Sequence, residues 1–165
     1  MGAGTGSAHG AFDVELIDLA DVGLPVFDEP HHPRLRRYVH QHTKGWSATV
    51  DRTDAFIFVS PEYNHSFPAS LKNALDFLSA EWADKAAGLV TYGGASAGLR
   101  ASSALKPVLG ALRILTVPEG ISIPFFTQFF DADAFVPNAE LEAAGKAMLD
   151  ELARVTPPLR TLRAS

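Results

Sequence analysis

The sequence predicts a three-layer α/β domain built on a parallel sheet. Three observations carry that prediction. Short continuous apolar runs at residues 55–60 and 87–92 read as strands covered on both faces. Segments with helical apolar periodicity follow both. Loops rich in Gly, Pro and Ser separate the two kinds of segment, the alternation that gives parallel strands with helices on both faces.

The elements follow in order. Residues 1–11 are rich in Gly, Ala and Ser and read as a flexible leader. Residues 12–156 form one domain, and 157–165 a frayed tail. Residues 14–19 alternate apolar and acidic, as a half-buried strand does. Gly23, Pro25, Pro30 and Pro33 make the next stretch a loop. Leu35, Val39, His42, Trp46 and Val50 share a stripe that predicts a helix over about residues 33–51. After the strand at 55–60 comes a loop, with Ser66 as cap of a helix whose first turn tolerates Pro68. Leu71, Ala74, Leu75 and Leu78 form that helix's buried side.

The second buried strand leads into Gly93-Gly94-Ala95-Ser96-Ala97-Gly98. Leu105, Leu109 and Leu112 mark a third helix, kinked at Pro107. A strand at 114–117 resumes at 120–123, and 124–130 is an aromatic loop. Leu141, Gly145, Met148, Leu152 and Val155 stripe a last helix, with Asn138 as its cap.

Composition narrows the function. A chain of 165 residues, 47% hydrophobic and 20% charged, is sized and composed for one core. The net charge of −5 gives no reason to expect nucleic acid or an anionic membrane surface. No apolar run approaches the ~20 residues of a membrane span. With no Cys there is no disulfide, thiolate nucleophile or Cys-held metal, which agrees with a cytoplasmic location.

In open parallel sheets, ligands sit outside the carboxyl ends of the strands. Two loops occupy that rim here, residues 61–67 and 93–98. The first holds Ser60-Pro61-Glu62-Tyr63-Asn64-His65-Ser66-Phe67-Pro68 and continues as Ala69-Ser70-Leu71-Lys72-Asn73-Ala74-Leu75-Asp76-Phe77-Leu78. This stretch resembles the signature of the NADPH-dependent FMN reductase family, whose relatives include quinone, chromate and azo-dye reductases. Leu19-Ala20-Asp21, Leu24-Pro25 with Asp28-Glu29, Gly93-Gly94 and Ile123-Pro124-Phe125 extend the likeness over roughly residues 12–155.

The resemblance implies a flavodoxin-like fold and an NAD(P)H-dependent FMN oxidoreductase. Hydride would pass from NADPH or NADH through FMN to a small acceptor such as a quinone or free flavin. It implies that Pro61, Glu62, Tyr63, Asn64 and His65 border the isoalloxazine, with Gly93, Gly94 and Ser96 closing its other edge. The cofactor carries the chemistry, so no catalytic side chain is named. The helix start after Gly98 is expected to favour the anionic reduced flavin. A homodimer or homotetramer with contacts near the flavin is also implied. Family members open with a strand, a phosphate loop and a helix. That unit has no counterpart in the dozen residues before residue 14, so the first strand and the phosphate loop are expected to be missing. The chain is then either a truncated reading of a longer protein or a natural shortened form, and in the second case residues 14–19 would pair directly with 55–60.

Other readings compete with this one. A flavin-deficient homologue could act only in assembly, through the loop of Phe125, Phe126, Phe129 and Phe130. Gly94-Ala95-Ser96-Ala97-Gly98 matches the G-x-S-x-G elbow of serine hydrolases. That elbow usually precedes its His in the chain, yet all six His lie before Ser96. His40 and His42, two apart on a helix, would face different sides, so no metal site is expected.

Overall fold

The computed structural model describes residues 9–164. Its sheet has three parallel strands in the order β1 (Ala55–Pro61), β2 (Lys85–Gly93), β3 (Ile114–Pro124). Helices α1 (Leu19–Val22), α2 (Gln41–Arg52), α3 (Ala69–Asp76), α4 (Leu99–Ala111) and α5 (Ala139–Ala164) lie around it. A small antiparallel hairpin, β4 (Phe130–Asp131) and β5 (Ala134–Phe135), follows β3.

The period of two along each strand divides the apolar residues between two cores. On one face Phe56, Phe58, Ala87 and Leu89 pack with Trp46 and Val50 of α2, Leu71 and Leu75 of α3, and Leu105 and Leu109 of α4. On the other, Ile57, Ala86, Val90 and Ile121 pack with Leu141, Met148 and Leu152 of α5. Gly88 faces α5 so closely that a Cβ there would stand 2.6 Å from Met148 Sδ. Asn138 caps α5 as expected, its Oδ1 accepting the Leu141 N–H at 2.9 Å.

The two strand pieces predicted at 114–117 and 120–123 are one strand. Ala87 pairs with Thr116 and Leu89 with Gly120, so residues 117–119 bulge opposite Gly88. Pro118 sits in that bulge, where its missing N–H costs no ladder bond.

Several expectations are corrected. Residues 14–19 form no strand and do not pair with β1. Leu16 is 77% exposed, and a lone segment without a partner gains no ladder. The helix predicted from 33 begins only at Gln41. A 3₁₀ turn, Pro33–Leu35, ends at Arg36 with φ 49°, residues 37–39 form no helix, and Leu35 and Val39 are exposed. Glu29, buried, draws that stretch inward by accepting the N–H groups of Val39 and His40. Pro68, not Ser66, is the N-cap of α3. The predicted frayed tail is helix through Pro157 and Pro158 to Ala164, anchored where Arg163 meets Asp54 and donates to the Asp84 carbonyl. β1 is only half-covered, with Val59 50% exposed. The leader falls almost wholly on residues 1–8, outside the described residues.

His40 also departs from expectation. It is the N-cap of α2 and lies outside the helix, so its ring stacks on His42 at 5.2 Å between centroids. Both rings face Asp28. Among the described residues, no group of three or more His, Asp or Glu is placed to hold a metal. No helix among them is long and apolar enough to cross a membrane.

Candidate functional site

The carboxyl ends of β1, β2 and β3 deliver three loops to one rim. Pro61 ends β1, and the Glu62 N–H donates to the Tyr92 carbonyl at 2.9 Å, tying the first loop to β2. Tyr63 and Ser66 then exchange both backbone hydrogen bonds, at 2.8 and 2.9 Å. Asn64 and His65 are the two residues between, with φ 49° and 68°. Positive φ at both positions is the signature of a type I′ hairpin turn.

The second loop leaves β2 at Gly93. The Ala97 N–H donates to the Gly94 carbonyl at 3.0 Å and the Leu99 N–H to the Ser96 carbonyl at 2.9 Å, which curls the loop into α4. Gly98 makes the turn with φ 81°, and a Cβ there would stand 2.6 Å from both Thr91 Cβ and Tyr92 N. Only glycine combines that dihedral with that approach. The third loop starts at Phe125, φ 43°, whose N–H donates to the Gly94 carbonyl at 3.3 Å.

Between these loops lies a cavity of about 460 Å³, within the usual range for small-ligand sites. The first loop lends it Pro61, Glu62 and Tyr63, and the second Tyr92, Gly93 and Gly94. The third lends Phe125, Phe126 and Thr127. Tyr92 meets the Phe126 ring edge-on at 5.0 Å. Burial, with Tyr63 nearby, pushes the Tyr92 phenol above its ordinary pKa.

Glu62 is the one carboxylate on the cavity wall, and both its oxygens are hydrogen-bonded within the protein. Its side chain is 7% exposed. Oε2 accepts the Arg100 backbone N–H and Oε1 the Arg100 guanidinium, each at 3.1 Å. The Ser96 hydroxyl is a further partner. Burial pushes the Glu62 pKa up, but the bonds from Ser96 and Arg100 outweigh it and hold the carboxyl below the usual range.

Five of the eight predicted site residues therefore line the cavity: Pro61, Glu62, Tyr63, Gly93 and Gly94. Asn64 and His65 stand at the exposed turn tip, and Ser96, also off the wall, hydrogen-bonds Glu62. Tyr92, Phe125, Phe126 and Thr127 were missed. Tyr92 is the penultimate residue of a strand, and the Phe125-Phe126 pair was assigned to assembly. A third loop leaving a parallel strand at the same rim was the signal that could have found them. At the start of α4 the Arg100 N–H already has a partner, the Glu62 carboxylate. No histidine among the described residues hydrogen-bonds Ser96; His9, His32 and His42 make their bonds elsewhere.

A flavin ring fits this wall. At Gly94 a Cβ would meet nothing within 4 Å, so bare backbone borders open space. Tyr63, Tyr92 and Phe126 provide flat apolar surface, and none of the nine lining residues is basic. The lining thus matches the ring and offers no charged partner to a phosphate.

A parallel sheet with helices on both faces and a cleft at the strands' carboxyl ends defines a flavodoxin-like α/β domain. The flavoenzyme FerB of Paracoccus denitrificans, an NAD(P)H:(acceptor) oxidoreductase, shares the fold with TM-score 0.73 over 93% of this chain and 86% of its own, at 20% identity. The profile of the NADPH-dependent FMN reductase family matches residues 3–128, and the chain belongs to that family. It is 44% identical over 109 residues to an NAD(P)H-dependent FMN reductase of Schizosaccharomyces pombe, covering 65% of this chain and 54% of that protein. It is 37% identical over 147 residues to a probable NADPH:quinone oxidoreductase of Oryza sativa subsp. japonica, covering 85% and 66%. The chain thus spans 54% and 66% of the lengths of these two relatives.

Proposed function

We propose that this chain is an NAD(P)H-dependent FMN oxidoreductase that delivers reducing equivalents to a small planar acceptor, such as a quinone or free flavin. The observation that carries the reading is the cavity itself, glycine-backed on one side, aromatic on the others, and of ring size. When bound, the flavin supplies hydride transfer between the nicotinamide and the acceptor. The chain's own part is to hold and orient. Backbone at Gly93 and Gly94 would border the ring, Pro61 shapes the first loop, and Tyr63, Tyr92 and Phe126 would offer it flat apolar surface. No side chain is assigned a proton-transfer role, since the wall's one carboxylate is committed to Arg100 and Ser96.

Exposed Tyr63 and Phe125 on the cavity wall, with exposed Phe130 packed on Phe126, support assembly as a homodimer or homotetramer through this rim. A strict monomer by light scattering at micromolar concentration contradicts that part. The activity is tested by following NADH and NADPH oxidation with FMN and p-benzoquinone. The reading expects a rate that requires chain, flavin and acceptor together. A rate no faster than the chain-free control overturns it.

A further inference from the structure

The Glu62 side chain is an acid built into the wall of a flavin-sized cavity with both oxygens bonded within the protein, and the chemistry proposed above gives it no task. Its neighbours are all positive or donating: the Arg100 N–H in the first turn of α4, the Arg100 guanidinium and the Ser96 hydroxyl. Its backbone N–H is bound to Tyr92, and its Cβ lies 3.5 Å from where a Cβ on Gly93 would stand. The carboxylate therefore sits between the two loops that frame the cavity, at the positive end of a 13-residue helix with no side-chain cap of its own.

We propose that Glu62 is a positioning residue that holds these two loops together and sets how readily a flavin in the cavity is reduced. This rests on the flavin-binding reading. Two electrons and one proton convert the oxidised ring to a reduced anion, adding one negative charge. The positive end of α4 and the Arg100 guanidinium favour that charge, and the Glu62 carboxylate offsets both. With Glu62 ionised the cavity wall is close to neutral, which keeps the bound flavin a stronger reductant towards its acceptor.

The test is a redox titration of the FMN-loaded 165-residue chain and two variants. Glu62→Gln keeps the size and one accepting oxygen but removes the charge. It should raise the flavin midpoint, favouring the reduced form about tenfold, or about 30 mV for a two-electron couple. Arg100→Leu should shift the midpoint the other way. Opposite signs are not what general loosening of the loops produces. An unmoved or lowered midpoint in Glu62→Gln overturns the inference while leaving flavin binding intact. Failure of the unaltered chain to retain FMN overturns the functional reading and this inference with it. Amide exchange in the flavin-free chain tests the clamp alone. The Arg100 N–H should exchange slowly in the unaltered chain and faster in Glu62→Ala, and fast exchange in the unaltered chain overturns the clamp.

Discussion

The Glu62 carboxylate receives two hydrogen bonds from Arg100, one from its backbone N–H and one from its guanidinium, both at 3.1 Å. The pair joins the end of β1 to the first turn of α4 across 38 positions of sequence. Because these bonds and the Ser96 hydroxyl hold the Glu62 pKa down, its contribution to stability is present above the pKa of an unfolded Glu. It is lost as the pH falls through the lowered folded value. A ¹³C NMR titration of the side-chain carboxyl should show Glu62 ionising below the ordinary Glu range. Ser96→Ala should move that transition upward. An ordinary transition unaffected by Ser96 contradicts the geometry.

Gly98 turns the chain into α4 at φ 81° with no room for a Cβ beside Thr91 and Tyr92. Gly98→Ala adds left-handed strain to a clash with strand backbone. The cost should be about 2–4 kcal/mol. Urea unfolding measures it, and a loss below about 0.5 kcal/mol, the range of neutral surface changes, would show that the loop has other ways to turn.

Lys85 is buried and closes α2 from below, its Nζ donating to the carbonyls of Val50 and Asp51 at 2.5 and 3.0 Å. Burial, with Arg163 nearby, pushes its pKa from 10.5 down to about 8. Between those values the unfolded chain holds more protons at this lysine than the folded one, so stability should rise with pH there. The rise attributable to Lys85 is roughly 2–3 kcal/mol from about pH 8 to pH 10. Tyr38 acts oppositely at the top of the window, because burial and Glu81 push its phenol above 10. Comparing urea midpoints across this range, the unaltered chain should gain on Lys85→Met. Parallel curves contradict the assignment.

Asn64 and His65 form a two-residue turn in which a β-carbon is strained at both positions. His65→Gly removes the strain at φ 68° at some cost in chain entropy. The net expectation is a gain of about 0.5 kcal/mol, read as a small rise in Tm. Flavin affinity should not change, since His65 is off the cavity wall. A weakened flavin complex would restore His65 to the site.

Much of the fold was legible because its signals are local. Apolar runs marked β1 and β2, a helical stripe with Asn138 marked α5, and the Pro61–Tyr63 and Gly93–Gly94 segments marked two walls of the cavity. What failed depended on partners distant in sequence. Residues 14–19 have the alternation of a strand, yet pairing decides, and they hydrogen-bond into no sheet. Leu35 and Val39 fit the stripe of α2, but buried Glu29 takes the N–H groups that would have extended the helix. Phe125 and Phe126 reach the cavity because β3 runs parallel to β2 and ends at the same rim, a registration that spacing alone does not reveal.

The central claim is that the ring of a flavin sits against bare backbone at Gly94. That position has open space where a side chain would begin, so Gly94→Leu should fold normally while filling the cavity. Titration of FMN followed by its visible absorbance, with the unfolding midpoint measured alongside, tests this directly. The unaltered chain should perturb the flavin bands and saturate. Gly94→Leu, equally stable, should bind at least about tenfold more weakly, the discrimination expected when a binding pocket is sterically altered. Equal affinity in the two proteins, or no binding to either, contradicts the account.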